Sequence, residues 1–217
     1  MGWVRFGSLR RVHPVDPDFG AQWGQIIDRY YIEKFLEEHA SDIQGRVLEV
    51  ADNGYTRRFG GKRVTHSDVL HYVQGNPNAT IVADLTDGRE IPSDTFDCII
   101  LTQTLQFIFD LGAAVRTLHR ILRPGGALLV TSHGISQISP HDMEHWGEYW
   151  RFTSLSARRI FTEVFPPECV QVQAYGNVLV AMAFLHGLTA QELRREELEY
   201  HDRAYEVIVA VRVSKPS

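Results

Sequence analysis

The sequence predicts an α/β domain carrying a doubly wound, mostly parallel sheet of seven strands, and three observations predict it. Short apolar runs recur along the chain (RVLEVA, RVTHSDVL, ATIVADL, FDCIILT and ALLVTS), each bounded by Gly, Pro, Asn or Asp, as strands buried on both faces are. Helical patterns lie between the later runs, the alternation that builds a parallel sheet. Towards the end the rhythm changes: QVQAY and YEVIVAVRV read as two more strands, with the helical segments VLVAMAFLHGL and AQELRREELEYH between them.

Each element follows from its residues. Pro14 and Pro17 break periodicity in residues 1–20, an irregular arm ahead of one domain over 21–217. From Gln22 the residues Ile26, Ile27, Tyr30, Tyr31, Ile32, Phe35 and Leu36 recur at three- and four-residue steps, an amphipathic helix ending near His39. About eleven residues separate RVLEVA from RVTHSDVL, the lower limit for a crossover, so at most a stub of helix fits there. DLGAAVRTLHRIL is a helix stopped by Pro124 and Gly125, and SLSARRIFTEVF one opened by Ser154 and stopped by Pro166.

Composition narrows the function. With 22 Lys+Arg against 27 Asp+Glu the net charge is −5, which argues against a nucleic-acid partner and leaves small-molecule chemistry. Cys98 and Cys169 lack CxxC spacing and suit a reducing compartment. No apolar run reaches a membrane span, and the start lacks a secretion signal's apolar stretch. Met1-Gly2 is the minimum for myristoylation in otherwise poor surroundings, so the expected address is cytoplasmic. VLVAMAFLHGL is apolar on nearly all sides, which predicts burial or pairing in a homodimer.

Ligands of such sheets bind at the carboxyl ends of the strands. Acids stand near three successive strand ends, Glu49, Asp68 and Asp84, and would repel one another without a ligand to share. VLEVADNGY, SDVL, VADL, FDCIILTQTLQF and LRPGGALLV, in that order, resemble the motifs of class I S-adenosylmethionine-dependent methyltransferases from Ile26 to Phe165, about two thirds of the chain. The resemblance implies a Rossmann-like methyltransferase fold, a last strand (YEVIVAVRV) running antiparallel, and S-adenosyl-L-methionine as cofactor.

It also implies roles. Glu49 takes the place of the acid that orients the loop after the first strand and the methionine ammonium. Asp68, nineteen residues later, takes the ribose position with Val69 beside it. Asp84 and Leu85 flank the adenine, and Thr102 and Gln103 meet the methionine part. Ala51, Asn53 and Tyr55 stand where that loop reads G-x-G-x-G, so all three glycines are replaced. Asn53 is the residue expected to take left-handed backbone there. Asp52 is a turn residue or a ligand, and Tyr30 belongs to the helix core or clamps the cofactor.

Residues 133–153 follow the fifth strand directly and start over the cleft as a substrate-side segment. His133, His141 and His145 stand there among Asp142, Glu144, Glu148, Trp146, Tyr149 and Trp150. Aromatic rings with carboxylates and imidazoles suit a polyhydroxylated acceptor. Methyl transfer to a hydroxyl needs a base matched to neutral pH, with His145 the leading choice and His133 or His141 the substitutes. His141, Asp142 and His145 form no strong metal signature; no metal site is assigned, and Mg²⁺ stays open. The YWRFT stretch resembles small bacterial methyltransferases that accompany glycosyltransferases. That implies O-methylation of a small-molecule or oligosaccharide acceptor, such as the 1-hydroxyl of a short methylated mannoside. A hydroxylated secondary metabolite and a non-catalytic binding module are the alternatives.

Overall fold

The runs rich in Val, Ile and Leu form the parallel part of the sheet in a computed structural model that describes residues 7–217. The Met1-Gly2 reading and the first part of the arm fall outside the described residues. The strands are β1 (Gly45–Val50), β2 (Val64–His71), β3 (Ile81–Val82), β4 (Phe96–Thr102), β5 (Leu122–His133), β6 (Val170–Tyr175) and β7 (Ile208–Ser214). Their order is β3-β2-β1-β4-β5-β7-β6, with β7 antiparallel to both neighbours, as expected for the last strand. The chain winds outward from β1 through β3, then returns to place β4 on the other side of β1. A crevice therefore opens between β1 and β4 at their carboxyl ends.

Alternation along each strand feeds two cores, which is why the runs read as apolar throughout. Cys98 and Ile100 of β4 face α1 (Ile27–Glu38) and α5 (Val178–Leu185), together with Val47, Tyr31, Phe35 and Phe184. Ile99 and Leu101 face α2 (Leu111–Ile121) and α4 (Ser154–Thr162), together with Leu48, Val115 and Phe161. Among the described residues, no helix is long and apolar enough to cross a membrane. Val178, Leu179, Met182 and Leu185 of α5 stay exposed, while Val180, Ala183 and Phe184 are buried.

Several element boundaries differ from those the sequence predicts. The helix expected from Gln22 starts only at Ile27, because Gln25 is held outside it: its N–H donates to Gln191 Oε1 and its carbonyl accepts from Ala190 N–H. AQELRREELEYH splits into a 3-10 turn, Ala190–Glu192, and α6 (Arg195–Glu199). Glu192 and Glu197 each reach back to the backbone N–H three residues earlier and start a fresh turn. LRPGG is already strand: Leu122 pairs with Phe96 and Ala127 with Cys98, so Pro124 sits in a bulge, a place where a strand tolerates it. Between β1 and β2 there are only single turns, Thr56–Gly60 and Gly61–Arg63, the expected stub. The short helix α3 (Pro140–His145) lies in the segment after β5, capped by Ser139 Oγ accepting from Asp142 N–H.

Candidate functional site

A cavity of about 1100 Å³ opens over the carboxyl ends of β1, β2 and β4. Of the residues the sequence singles out, Glu49, Ala51, Asp52, Asp84, Leu85, Thr102 and Gln103 line it. Glu49 is buried and anchors the loop after β1: Oε1 accepts from Tyr55 N–H at 3.2 Å, and Oε2 from Thr56 N–H at 2.8 Å and Thr56 Oγ1 at 2.7 Å. Burial pushes its carboxyl above the ordinary range, partly offset by the Thr56 hydrogen bonds. Asp52 makes the turn, accepting from Gly54 N–H at 2.6 Å, and faces the cavity as well. Asp84 Oδ1 accepts from Thr86 N–H at 2.8 Å.

Strain gathers here. Among the described residues, four non-glycines have left-handed φ, and three of them line the cavity: Phe19 (60°), Ala51 (72°) and Gln103 (47°). Such backbone persists where surrounding structure over-determines it, and it clusters at functional sites. Ala51, not Asn53, takes the glycine-like conformation, because the loop turns immediately after β1, where Ala51 N–H still donates to Leu70 O. Asn53 instead donates from Nδ2 to Ser67 Oγ. Gln103 Nε2 and Gln106 Oε1 are buried without a partner at the cavity wall.

Five of the assigned residues lie off the cavity wall. Asp68 and Val69 do not line the cavity, because β2 continues to His71 and puts His71 and Tyr72 at its edge. Asp68 is buried in mid-strand opposite Leu48, bound by Arg46 Nε at 2.7 Å and Thr80 Oγ1 at 2.9 Å. Val69 is core. Tyr30 points away, its hydroxyl donating to Glu199 Oε1, because α1 turns Asp28 and Arg29 to the cavity instead. His141 and His145 are exposed on α3, their rings 4.2 Å apart and tilted by 36°; neither lines the cavity. From that helix only Asp142 lines it, joined by Trp146 and Tyr149 further on. No group of three or more His, Cys, Asp or Glu among the described residues is arranged to hold a metal.

His133, at the end of β5, does line the cavity, and its partner was missed in the sequence. Nε2 lies 3.2 Å from Asp28 Oδ2, with both side chains buried and Asp28 Oδ1 and His133 Nδ1 unpartnered. Burial drives the Asp28 carboxyl up, yet the His133 hydrogen bond and the nearby Arg29 charge hold it below the ordinary range. A carboxylate oxygen accepts, so Nε2–H of His133 is the donor to Asp28, and in the neutral ring Nδ1 is then the acceptor. One signal was available: Asp28 shares the apolar face of α1 with Ile32 and Phe35, where an acid is out of place.

Comparison with known proteins agrees with this geometry. Residues 15–165 match the family described as Methyltransferase domain. The chain is 31% identical over 99 residues to the ubiquinone/menaquinone biosynthesis C-methyltransferase UbiE of Enterobacter sp. (strain 638), covering 44% of this chain and 36% of that protein. It thus spans about a third of the length of that curated relative. A SAM-dependent methyltransferase from Archaeoglobus fulgidus superposes with a TM-score of 0.57 at 10% identity, over 86% of this chain and 94% of that one. The N-methyltransferase NodS from Bradyrhizobium japonicum WM9, in complex with S-adenosyl-L-homocysteine, gives 0.56 at 14% identity over 93% and 94%. The chain belongs to the methyltransferase-domain family and has the fold of class I S-adenosylmethionine-dependent methyltransferases.

Proposed function

We propose that the protein is an S-adenosylmethionine-dependent methyltransferase acting on a hydroxyl of a neutral, ring-shaped acceptor, with His133 as base and Asp28 as its orienting partner. The observation that carries this reading is the buried Asp28–His133 pair at the wall of the crevice. The cavity fits the cofactor: Glu49 fixes the loop after β1, Asp84 offers an acceptor on the β3 side, and unpartnered Gln103 Nε2 and Gln106 Oε1 await polar partners. At about 1100 Å³ it exceeds the roughly 300–1,000 Å³ of a single-ligand pocket, leaving space for two reactants. Bound there, the cofactor supplies an activated methyl group, while the protein supplies alignment and a destination for the proton.

Seven carboxylates and two guanidiniums line the cavity, which disfavours an anionic acceptor. Tyr72, Phe109 and Tyr149 stand exposed at the mouth, with Phe109 packed edge-on against Tyr149 at 5.3 Å. Aromatic faces beside carboxylate acceptors favour a polyhydroxylated ring, which supports a carbohydrate, with residues 133–153 as the substrate-side segment. The 1-hydroxyl of a short methylated mannoside is the specific candidate, on the sequence resemblance; a hydroxylated secondary metabolite is the second. The curated relative is a C-methyltransferase and NodS an N-methyltransferase by name, so oxygen as the atom methylated rests on the base, the acid-rich cavity and the sequence resemblance. The acceptor O–H gives its proton to Nδ1 of His133, and the Asp28 carboxylate, hydrogen-bonded to Nε2, steadies the resulting imidazolium. Phe19, stacked over the ring at 6.4 Å, is the side chain that acceptor entry displaces. The exposed apolar residues of α5 support a homodimer, and the unpaired cysteines a cytoplasmic address.

The test is transfer of labelled methyl to a panel of glycosides, followed by variants with the best acceptor. His133→Ala lowers turnover by about 10²-fold or more with S-adenosylhomocysteine affinity retained, Asp28→Asn lowers it less, and His141→Ala and His145→Ala leave it unchanged. Full turnover in His133→Ala removes the base, and failure of the wild-type protein to bind S-adenosylhomocysteine removes the enzyme.

A further inference from the structure

We infer that His71, not a carboxylate, is the hydrogen-bond acceptor for the sugar hydroxyls of the bound nucleoside. The inference rests on the cofactor reading above and extends it to one subsite.

The order of the strands dictates which group lies where. The strand β2 stands between β1, whose loop Glu49 anchors, and β3, which leads to Asp84. A ligand with one end over the β1 and β4 loops and its base beside Asp84 must lay its middle, the sugar, across the end of β2. His71 and Tyr72 line the cavity at that end, and His71, the last residue of β2, is held in register with Val82 of β3. Asp68 lies three residues earlier in the strand, buried and held by Arg46 and Thr80, with no place on the cavity wall.

The chemistry of the ring suits the task. His71 Nδ1 lies 2.7 Å from the carbonyl oxygen of Val73, and a carbonyl can only accept, so Nδ1 carries the proton. In the neutral ring Nε2 is then an acceptor, ready for a sugar O–H. Trp146 packs edge-on against the ring at 5.7 Å and an interplanar angle of 85°, limiting its rotation. Trp146 therefore serves as a positioning residue, and through it the segment after β5 touches the proposed sugar subsite.

Calorimetry with S-adenosylhomocysteine and its 2′-deoxy and 3′-deoxy analogues tests this. The wild-type protein prefers the parent compound to at least one analogue by about tenfold, the value of one hydrogen bond. His71→Phe loses about tenfold for the parent and nothing for that analogue, while His71→Gln, whose Oε1 can stand in for Nε2, recovers most of the loss. Unchanged parent affinity in His71→Phe, or equal loss for all three ligands, overturns the inference while leaving the cofactor reading intact. No binding of any ligand by the wild-type protein overturns both.

Discussion

Glu49 and Asp68 are buried carboxylates on adjacent strands, one register step apart: Leu48 lies opposite Asp68, and Glu49 opposite Val69. That single step puts them to different uses. Glu49 meets the backbone of a loop at the carboxyl edge, and burial raises its pKa despite the Thr56 hydrogen bonds. Asp68 meets a guanidinium. Burial also pushes its pKa up, but the Arg46 and Thr80 hydrogen bonds, with the charges of Arg46 and His66, bring it below the ordinary value. An acid near a strand end is thus a loop anchor at the cavity or a strut between strands according to where the strand stops, because a one-residue shift exchanges the faces of the sheet.

Substitution separates the two roles. Glu49→Ala strips acceptors from Tyr55 N–H and from both donors of Thr56, so the loop loses its anchor. S-adenosylhomocysteine affinity falls about 10- to 100-fold, the scale of one or two charge-assisted hydrogen bonds. Asp68→Asn leaves affinity within about twofold but lowers unfolding free energy by about 1–3 kcal/mol, since the Arg46 bond is weakened. Calorimetry and urea unfolding on both variants read this, and a large affinity loss in Asp68→Asn would erase the distinction.

The pH dependence of stability carries opposite signs at the two sites. Glu49 has a folded pKa above its ordinary 4.5, so the folded state holds the proton more tightly. As pH falls from about 7 toward that ordinary value, the wild-type protein gains stability relative to Glu49→Gln. Asp68 has a folded pKa below 3.8, so its contribution is present above 3.8 and is lost as pH falls through the folded value. Urea unfolding of wild type, Glu49→Gln and Asp68→Asn from about pH 7 to below 3.8 should show the two differences diverging. Parallel curves would mean the carboxylates are alike.

The fold and the cavity-lining edge of the sheet are legible because they rest on local patterns. Apolar runs, caps and breakers specify the strands and helices, and Glu49, Thr102, Gln103 and Asp84 stand at or just past strand ends marked by turn residues. The errors arose where the tertiary structure moves a boundary. The strand β2 runs past Leu70 because His71 O accepts from Ala83 N–H, a contact with β3 that no local pattern encodes. Asp28 and His133 stand 105 residues apart, so their pairing depends on how α1 lies over β5. His141 and His145 come soon after a strand in the sequence, but that spacing does not say which face of α3 meets the cleft.

The smallest expected effect lies beside Glu49, in the loop that Asp68 has no part in. Ala51 holds φ at 72°. For an L residue the left-handed region costs about 1–2 kcal/mol, and glycine removes that strain at an unfolded-state entropy cost of about 0.4–1 kcal/mol. Ala51→Gly should therefore stabilise the protein by about 0.5–1 kcal/mol, while the bond from residue 51 N–H to Leu70 O survives because it is backbone. The corresponding change at Asn53, Asn53→Gly, removes the bond to Ser67 Oγ and relieves no strain, so it should destabilise. Urea unfolding of the two variants side by side decides it: the same sign of change in both would mean that the turn after β1 is not where the backbone strain resides.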